Sequence, residues 1–254
     1  MSRTEDLPAL RLATYNIHKG VRGLGPARRL EIHSLRDGVR DLAADLVALQ
    51  EVRAYNHHEA RRFARQGWPE EGQAQYLAPD GFHHVYRSNA VTNGGEHGNA
   101  LLSRWPILHV GHHDVSDHRL EQRGLLHVQV DWPGCPLHVV VLHLGLFAGS
   151  RLRQVHRLGA YLEREVPGHE PLLVTGDFND WRERLDPALA DLRLHRAEVD
   201  GHRPQTFPSR APLFALDRVY LRGLRCRRIE VPRGLPWVRF SDHLPLVAEL
   251  EPTR

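Results

Sequence analysis

The chain has 254 residues, of which 41% are hydrophobic, and a formal net charge of +3. This content is enough for a sizeable core and excludes disorder as the default state, while so small a charge does not identify a nucleic acid as the partner. No apolar run is long enough to span a bilayer, and the cysteines, Cys135 and Cys226, are too few for a disulfide framework. We expect a cytoplasmic monomer with no transmembrane segment and no secretory signal, in which residues 1–9 are flexible.

Short apolar runs alternate with helical patterns along the chain, which predicts sheets covered by helices. The predicted strands are Leu10–Tyr15, Leu46–Leu49, Leu125–Val130, Leu137–Leu144, Leu172–Thr175, Phe214–Tyr220 and Leu244–Leu250. Helical spacing of apolar residues marks the segment with Leu35, Val39, Leu42 and Leu46, and the segment Arg151–Glu165. The predicted loops Gly67–Gln73 and Gly201–Ala211 are too short to separate domains. We therefore predict one α/β domain over residues 1–254, built from two packed sheets with outer helices.

Polar side chains directly follow several of these buried strands. Asn16, Gln50-Glu51, His143 and Asp177-Phe178-Asn179 each come at the C-terminal end of a strand. In sheets of this kind, that edge is where ligand sites form. Asp242 and His243 precede the last strand, and they would lie at the same edge if that strand is antiparallel to the others. The sequence therefore predicts that these groups meet in one site.

The residue types at this edge fit metal-assisted phosphoryl chemistry. Carboxylate and amide oxygens are the ligands that Mg²⁺ prefers, so Glu51 is the first candidate ligand and Asn16 the second. Asp177 would orient or deprotonate the attacking water, and Asn179 would hold a phosphate oxygen or that aspartate. His243 has the pKa range of a general acid or base.

Asp217 is the candidate carboxylate partner of His243. An aspartate within a buried strand is costly unless it is paired, and the alternative pairing is with the neighbourhood of Arg218. Asp177 and Asn179 also have a plainer interpretation, as turn residues at the junction between strand and loop.

Seven short motifs occur in the order in which they are found in the endonuclease/exonuclease/phosphatase superfamily. They are Tyr15-Asn16-Ile17, Leu49-Gln50-Glu51-Val52, Gly98-Asn99-Ala100-Leu101-Leu102-Ser103-Arg104, His143-Leu144, Gly176-Asp177-Phe178-Asn179, Leu216-Asp217-Arg218 and Ser241-Asp242-His243. Each motif is weak alone, but together they span nearly the whole chain. The sequence therefore resembles this superfamily and its deoxyribonuclease-I-like fold.

The resemblance implies a four-layer α/β sandwich, in which two mixed β-sheets pack face to face between outer helices. It also implies Mg²⁺- or Mn²⁺-dependent hydrolysis of a phosphodiester or phosphomonoester. In this interpretation Asn16 and Glu51 lie at the metal, Asp242 reaches a second metal, and His143 contacts the phosphate. Asp177 and Asn179 handle water and phosphate, and Asp217 with His243 forms a paired acid/base unit.

Two differences from the abasic-site endonucleases of the superfamily argue against that activity. His18 stands where those enzymes tend to have an acidic metal ligand, and His143 stands where they tend to have a tyrosine. The segment Tyr15-Asn16-Ile17-His18-Lys19-Gly20, which contains the only lysine of the chain, is similar to a bacterial subgroup that is often encoded near cardiolipin synthase. The substrate is therefore open between DNA or RNA, a phospholipid headgroup and a small molecule.

Other polar residues have a functional and a structural interpretation of similar weight. The additional candidates for substrate binding are Asn99, Arg123, Arg151 and His18. The basic run Arg222–Arg228 favours an exposed edge strand over a polyanion site. Paired histidines such as His112-His113 do not suit one zinc ion, because neighbours on a strand point to opposite faces. The rival functions are a binding protein that keeps the fold without catalysis and a histidine-rich zinc protein.

Overall fold

The structure, a computed structural model, describes residues 9–23, 25–92, 94–118 and 121–253. The flexibility predicted for residues 1–9 falls, apart from Ala9, outside the described residues. The strands are β1 Leu10–Asn16, β2 Val21–Arg22, β3 Arg29–Leu30, β4 Leu46–Val52, β5 His83–Thr92, β6 Gly95–Ser103, β7 Ile107–Asp114, β8 Gly124–Trp132, β9 Cys135–His143, β10 Leu172–Asp177, β11 His195–Arg196, β12 Asp217–Arg222, β13 Leu224–Glu230 and β14 Leu246–Pro252. The α-helices are α1 Ile32–Asp41, α2 His57–Arg62, α3 Gln73–Leu77, α4 Ala148–Glu165, α5 Asp186–Asp191 and α6 Trp237–Phe240.

Two mixed sheets face each other and form the centre of the fold. The first has the strand order β13-β14-β1-β4-β6-β5, and the second has the order β11-β12-β10-β9-β8-β7. Their inner faces share one apolar core, in which Leu12 and Leu46 of the first sheet pack with Val139 and Leu173 of the second. This confirms the predicted α/β fold with two sheets packed face to face.

Helices cover the outer face of each sheet through a separate apolar cluster. On the first sheet, Leu35 and Val39 of α1 join a cluster with Val47 and Leu49 of β4. On the second sheet, residues of α4 such as Val155 and Leu158 pack on the apolar side chains of β9 and β10. The order of layers is therefore helix, sheet, sheet and helix, as the family resemblance implies.

The strand predictions were accurate for most buried strands, although they missed the largely buried strand β6, and they were incomplete for exposed strands. The run Leu137–Leu144 was predicted to be central, and β9 lies between β8 and β10 with Leu137 to His143 buried. The strands β5 and β7 were not predicted, because most of their side chains are exposed or half-buried and carry no apolar run. The strand β13, which covers Leu224–Glu230, lies at the edge of its sheet, as predicted for the run Arg222–Arg228, but Arg222 itself ends β12 inside the second sheet.

Several element boundaries differ from the predicted ones by a few residues. Leu46 begins β4 and does not belong to the preceding helix, which ends at Asp41. The predicted strand Leu244–Leu250 forms only from Leu246 onward. These differences arise at positions where apolar residues continue past the end of an element, so the pattern does not mark the end. No α-helix in the described part of the chain is long and apolar enough to cross a membrane.

A buried polar chain crosses the outer face of the second sheet. The His127 Nε2 atom lies 2.8 Å from His138 Nδ1, and His138 Nε2 lies 2.5 Å from a carboxylate oxygen of Glu170. The other ring nitrogen of His127 lies 3.1 Å from the hydroxyl of Tyr161. Burial, and then the neighbouring His138, lower the pKa of His127 to about 4. His127 is therefore neutral in the folded protein at neutral pH.

Acid should destabilise the fold through His127. Because its pKa in the folded state lies below the ordinary value of about 6.5, its contribution to stability is complete above pH 6.5 and is lost as the pH falls towards 4. Replacing His127→Gln removes the titrating group. Chemical denaturation at several pH values should show that the wild type loses on the order of 2–3 kcal/mol more stability over this interval than the variant. Parallel curves for the two proteins would contradict the assignment.

Candidate active site

Three polar residues lie in one row across the second sheet. In the parallel pairing of β9 with β10, His143 is opposite Asp177, and in the antiparallel pairing of β10 with β12, Asp177 is opposite Asp217. Gly176 precedes this row with a φ of +140°, and a Cβ at this position would lie 1.9 Å from the carbonyl oxygen of Leu142. Only glycine therefore fits at Gly176, and the tight contact fixes β10 beside β9 where the two strands end.

The first sheet brings a second group of residues to the same edge. β1 and β4 are parallel, so Asn16 pairs with Gln50, and Glu51 follows it. The pairing of β4 with β6 shifts register between Leu49 and Val52, and Glu51 within this bulge has a φ of +57°. A bulge of this kind redirects a side chain at the end of a strand. β14 is antiparallel to β1, as the placement of Asp242 and His243 required, and Ser241 Oγ donates a hydrogen bond of 2.7 Å to the Asn16 carbonyl.

The two sheets meet at the carboxylate of Asp177, which is buried. Its Oδ2 atom accepts a hydrogen bond of 3.1 Å from Asn16 Nδ2 and lies 3.5 Å from His143 Nε2 and 3.7 Å from His243 Nε2. Its Oδ1 atom accepts a hydrogen bond of 2.9 Å from the backbone N–H of Asn179. Burial raises the pKa of Asp177, and the nearby His243 and His143 act in the opposite direction. One carboxylate oxygen is thus shared by groups from distant parts of the chain.

Asp217 is paired with His243 and not with Arg218, which was the alternative partner. His243 Nδ1 lies 2.8 Å from Asp217 Oδ2, which also accepts a hydrogen bond of 2.6 Å from Thr206 Oγ1. Arg218 instead bonds Asp180, with Nη1 3.0 Å from its carboxylate. Burial lowers the pKa of His243, but the carboxylates of Asp217 and Asp177 outweigh it and raise the pKa to about 10. His243 is therefore a cation held between two carboxylates.

His143 has the opposite electrostatic character. Burial, followed by the guanidinium of Arg123, lowers the pKa of His143 to about 4. The ring is therefore neutral at neutral pH, although it lies near the carboxylates of Asp177 and Glu51. The site thus combines a neutral imidazole and an imidazolium on two sides of Asp177, and both can donate a hydrogen bond to a phosphate oxygen.

Glu51 and Asp242 lie next to Asn16 and are here called the acidic corner. The Lys19 ammonium lies 2.6 Å from Glu51 Oε2, and Asn16 Nδ2 lies 3.4 Å from Glu51 Oε1. Burial acts to raise the pKa of Glu51, but the charge of Lys19 outweighs it and holds the pKa well below its ordinary value. The ring of His18 lies 3.1 Å from Asp242 Oδ1. The buried Glu51 carboxylate is therefore kept ionised by a cation.

Left-handed backbone conformations are concentrated in this corner and beside Asp177. His18 and Lys19 have φ values of +44° and +63°, and Asn179 has a φ of +50°. These residues and Glu51 have positive φ values, which residues other than glycine rarely adopt. Such strain persists only where the surrounding structure fixes it, and it is commonly found at functional sites.

The donors in this corner fit a divalent cation that prefers oxygen ligands. Within the described ranges, no three His, Cys, Asp or Glu side chains converge on a point that could hold a metal ion. A structural zinc site requires such a preformed set, whereas Mg²⁺ is usually held by one or two carboxylates together with waters and substrate phosphate. The ionised Glu51 carboxylate and the half-exposed Asp242 carboxylate are a set of the second kind. The amide oxygen of Asn16 accepts a hydrogen bond of 3.1 Å from the backbone N–H of His18, and its amide nitrogen faces Glu51.

Three other candidates are held by neighbouring protein groups. Asn99 Nδ2 donates hydrogen bonds of 3.1 Å to the carbonyls of Gly124 and Val141, between the two sheets. Arg151 is buried, and its Nη1 donates to the carbonyls of Gly145 and Leu146. Both side chains therefore brace the fold. Arg123 lies 3.5 Å from a carboxylate oxygen of Glu121 and is close enough to His143 to affect its pKa. Asp177 likewise affects the pKa of Arg151, so both arginines lie near the cluster.

Sequence reasoning missed Lys19 and Thr206 as members of the site. Thr206 lies in a segment predicted only as a loop, and its hydroxyl bond to Asp217 had no sequence signal. Lys19 did carry a signal, because it is the only lysine in a chain with 34 basic residues and lies three residues after Asn16. The buried pair of Asp180 with Arg218, next to Asn179, was also not predicted.

Comparisons with known proteins show which proteins the chain is similar to. Residues 13–243 match the Endonuclease/Exonuclease/phosphatase family. A protein of Escherichia coli K12, Uncharacterized protein YbhP, is 38% identical over 251 residues, which cover 95% of this chain and 96% of that protein. A UPF0294 protein of Vibrio cholerae is 32% identical over 118 residues, which cover 45% of this chain and 40% of its own length.

Solved structures share the fold at lower identity. An endonuclease/exonuclease/phosphatase from Beutenbergia cavernae has a TM-score of 0.70 and 22% identity, with 96% of this chain and 72% of that chain covered. The human Nocturnin catalytic domain has a TM-score of 0.70 and 21% identity, with 97% and 94% covered. Because the family match extends over residues 13–243 and the Escherichia coli relative is similar over nearly its whole length, the chain belongs to the endonuclease/exonuclease/phosphatase family.

Proposed function

We propose that the protein is a divalent-metal-dependent phosphoesterase that hydrolyses its substrate at Asp177. Its family is named for endonucleases, exonucleases and phosphatases, which are enzymes that hydrolyse phosphate esters. The observation that carries the proposal is the convergence on Asp177 Oδ2 of Asn16, His143 and His243, from both sheets. A buried aspartate that only stabilised the fold would need hydrogen-bond partners, but it would not need two histidines of different charge. Here His143 is neutral and His243 is cationic.

In the proposed reaction, Asp177 accepts a proton from the attacking water, whose oxygen forms the new bond to phosphorus. His243, charged and oriented by Asp217, donates a hydrogen bond to the phosphate and stabilises the charge that develops on it. The leaving oxygen takes a proton from His243 or from solvent. Asn179 positions Asp177, since its N–H donates to that carboxylate and its side-chain amide donates to the Leu144 carbonyl at 2.9 Å.

The acidic corner is the proposed place for the cation. Glu51 and Asn16 would hold Mg²⁺ or Mn²⁺, and Asp242 is available to a second ion. A cation held there would supply Lewis-acid chemistry, polarising a phosphoryl oxygen and neutralising charge. His143, which is neutral and donates a hydrogen bond, would hold another phosphate oxygen opposite His243.

The mouth of the site favours a substrate with an apolar or aromatic group beside the phosphate. Phe207 contacts the His243 ring at a centroid distance of 4.9 Å, and Trp181, 40% exposed, contacts Phe207 at 5.4 Å. Leu146 and Phe147, three and four residues after His143, are 58% and 65% exposed. A nucleobase and a lipid chain both suit such a surface. A nuclease and a lipid-headgroup phosphodiesterase are therefore the two substrate hypotheses that this surface supports.

Replacing Asp177→Asn should abolish turnover without unfolding the protein. An amide keeps the shape of the side chain but accepts no proton, so kcat for bis-(p-nitrophenyl) phosphate with Mg²⁺ or Mn²⁺ should fall at least about 100-fold. Asp37→Asn, at an exposed position of α1, makes the same chemical change away from the site and is the matched control. Metal binding with no turnover by the wild type on DNA, RNA, phospholipid or inositol phosphate would instead favour a non-catalytic binding protein.

Replacing Lys19→Met should destabilise the metal-free protein, because the buried Glu51 carboxylate loses its cation. In EDTA, denaturant unfolding should show a loss of about 1–3 kcal/mol, since breaking a partly buried pair leaves a charge unpaired. Mn²⁺ should restore stability to the variant more than it raises that of the wild type. The control is Arg40→Met, which breaks the pair with Asp37, exposed on both sides, and should cost less than about 1 kcal/mol. Equal losses in the two variants would disprove the special role of Lys19.

A further inference from the structure

A cleft that lies beside the acidic corner has four arginines among its ten lining residues. It has a volume of about 700 Å³. Its charged lining residues, here called the arginine cleft, are Arg22, Arg29, Arg210, Arg239 and Glu31. Within the part of the chain that the structure describes, none of these arginines forms an ion pair with a carboxylate. The cleft therefore carries an excess of positive charge that the described protein groups do not neutralise.

The backbone pairing makes this excess harder to explain as ordinary surface charge. β2 and β3 form a short antiparallel ribbon in which Arg22 is directly opposite Arg29. Like charges opposite each other on paired strands destabilise the pairing. Burial raises the pKa of Glu31, and the guanidinium groups of Arg22, Arg29 and Arg239 act against it without reversing the shift. One partly buried carboxyl is therefore too little to compensate the arginines.

The other basic surface of the chain shows what a merely structural arrangement looks like. On β13, Arg225 and Arg227 both form ion pairs with Glu251, and Arg228 lies 2.8 Å from Glu230. Each of these exposed arginines thus has a carboxylate partner on its own sheet. The arginine cleft lacks this neutralisation, and the difference points to an anion that is not part of the described protein.

The arginine cleft adjoins the proposed phosphoesterase site. Arg239 precedes Asp242 by three residues, and Arg210 follows Ser209, whose backbone N–H donates a 2.7 Å hydrogen bond to the Asp242 carbonyl. β2, with Arg22, directly follows the strained segment that contains His18 and Lys19. The pKa of Tyr15 is raised by burial first and then by Asp217, Asp242 and Glu31, so carboxylates of the site and of the cleft lie near one side chain.

We propose that the arginine cleft binds a phosphate group of the substrate other than the one that is hydrolysed. Guanidinium groups match the geometry of phosphate oxygens and bind them in pairs. The inference rests on the proposed function for the identity of the substrate, but the cleft itself can be tested without turnover. A recessed cleft suits a soluble substrate with at least two phosphates, such as an oligonucleotide, better than the flat surface of a bilayer.

The direct test is a calorimetric titration of the metal-free protein with inorganic tripolyphosphate in EDTA. The wild type should bind, and binding should weaken as salt is raised. The double variant Arg22→Gln/Arg239→Gln should bind at least about tenfold more weakly, because two guanidinium contacts are lost. The matched control is Arg225→Gln/Arg227→Gln, which removes the same charge from β13 and should change the affinity less than about twofold.

Three results would overturn the proposal: no binding by the wild type, an equal loss in the two double variants, or binding to phosphatidylglycerol vesicles without binding of tripolyphosphate.

A second readout is the stability of the free protein. Arg29→Gln removes the like charge opposite Arg22, so its thermal midpoint should be at or above that of the wild type. Since these measurements need neither metal nor catalysis, they remain valid if the phosphoesterase proposal fails. If it holds, the cleft variant should also raise KM for oligothymidylate more than KM for bis-(p-nitrophenyl) phosphate.

Discussion

The burial of the Asp177 carboxylate between two sheets is the constraint on which the site depends. Taking a carboxylate out of water is costly unless hydrogen bonds and opposite charges compensate it. Here the compensation comes from Asn16 on the first sheet, from the Asn179 backbone, and from the histidines at positions 143 and 243. The strand ends must therefore meet at this point, and the same contacts that make the buried charge tolerable bring together the residues of the proposed active site.

The charges of the site are arranged in alternation. The Asp217 carboxylate faces the His243 cation, which faces Asp177, while Lys19 balances Glu51 at the other end. An incoming phosphate would find hydrogen-bond donors and cations already oriented, so little reorganisation would be needed as charge develops in a transition state. The arginine cleft extends the same field beyond the acidic corner. The left-handed backbone at Glu51, Lys19 and Asn179 is unfavourable by itself, which indicates that the surrounding fold stabilises this arrangement.

Sequence reasoning reached the fold and the members of the cluster that follow buried strands. The apolar runs before Asn16, His143 and Asp177 form continuous strands, so the polar residue after each run marks a sheet edge. The sequence did not predict features that depend on long-range contacts or on exposed strands. The bond from Thr206 to Asp217, the bracing roles of Asn99 and Arg151, and the strand β5 have no periodic signal in the chain. Register across a sheet, which sets Arg22 opposite Arg29, is likewise invisible without the pairing.

The most direct test of the account is a crystal of the protein soaked with Mn²⁺ and a phosphate analogue, with the metal located by anomalous scattering. We expect a Mn²⁺ ion in direct contact with the Glu51 carboxylate, and the analogue between that ion and the rings of His143 and His243. The Lys19 ammonium should have left Glu51. A metal bound elsewhere, or a phosphate analogue that does not contact His243, would contradict the claim that these groups form one phosphoesterase site.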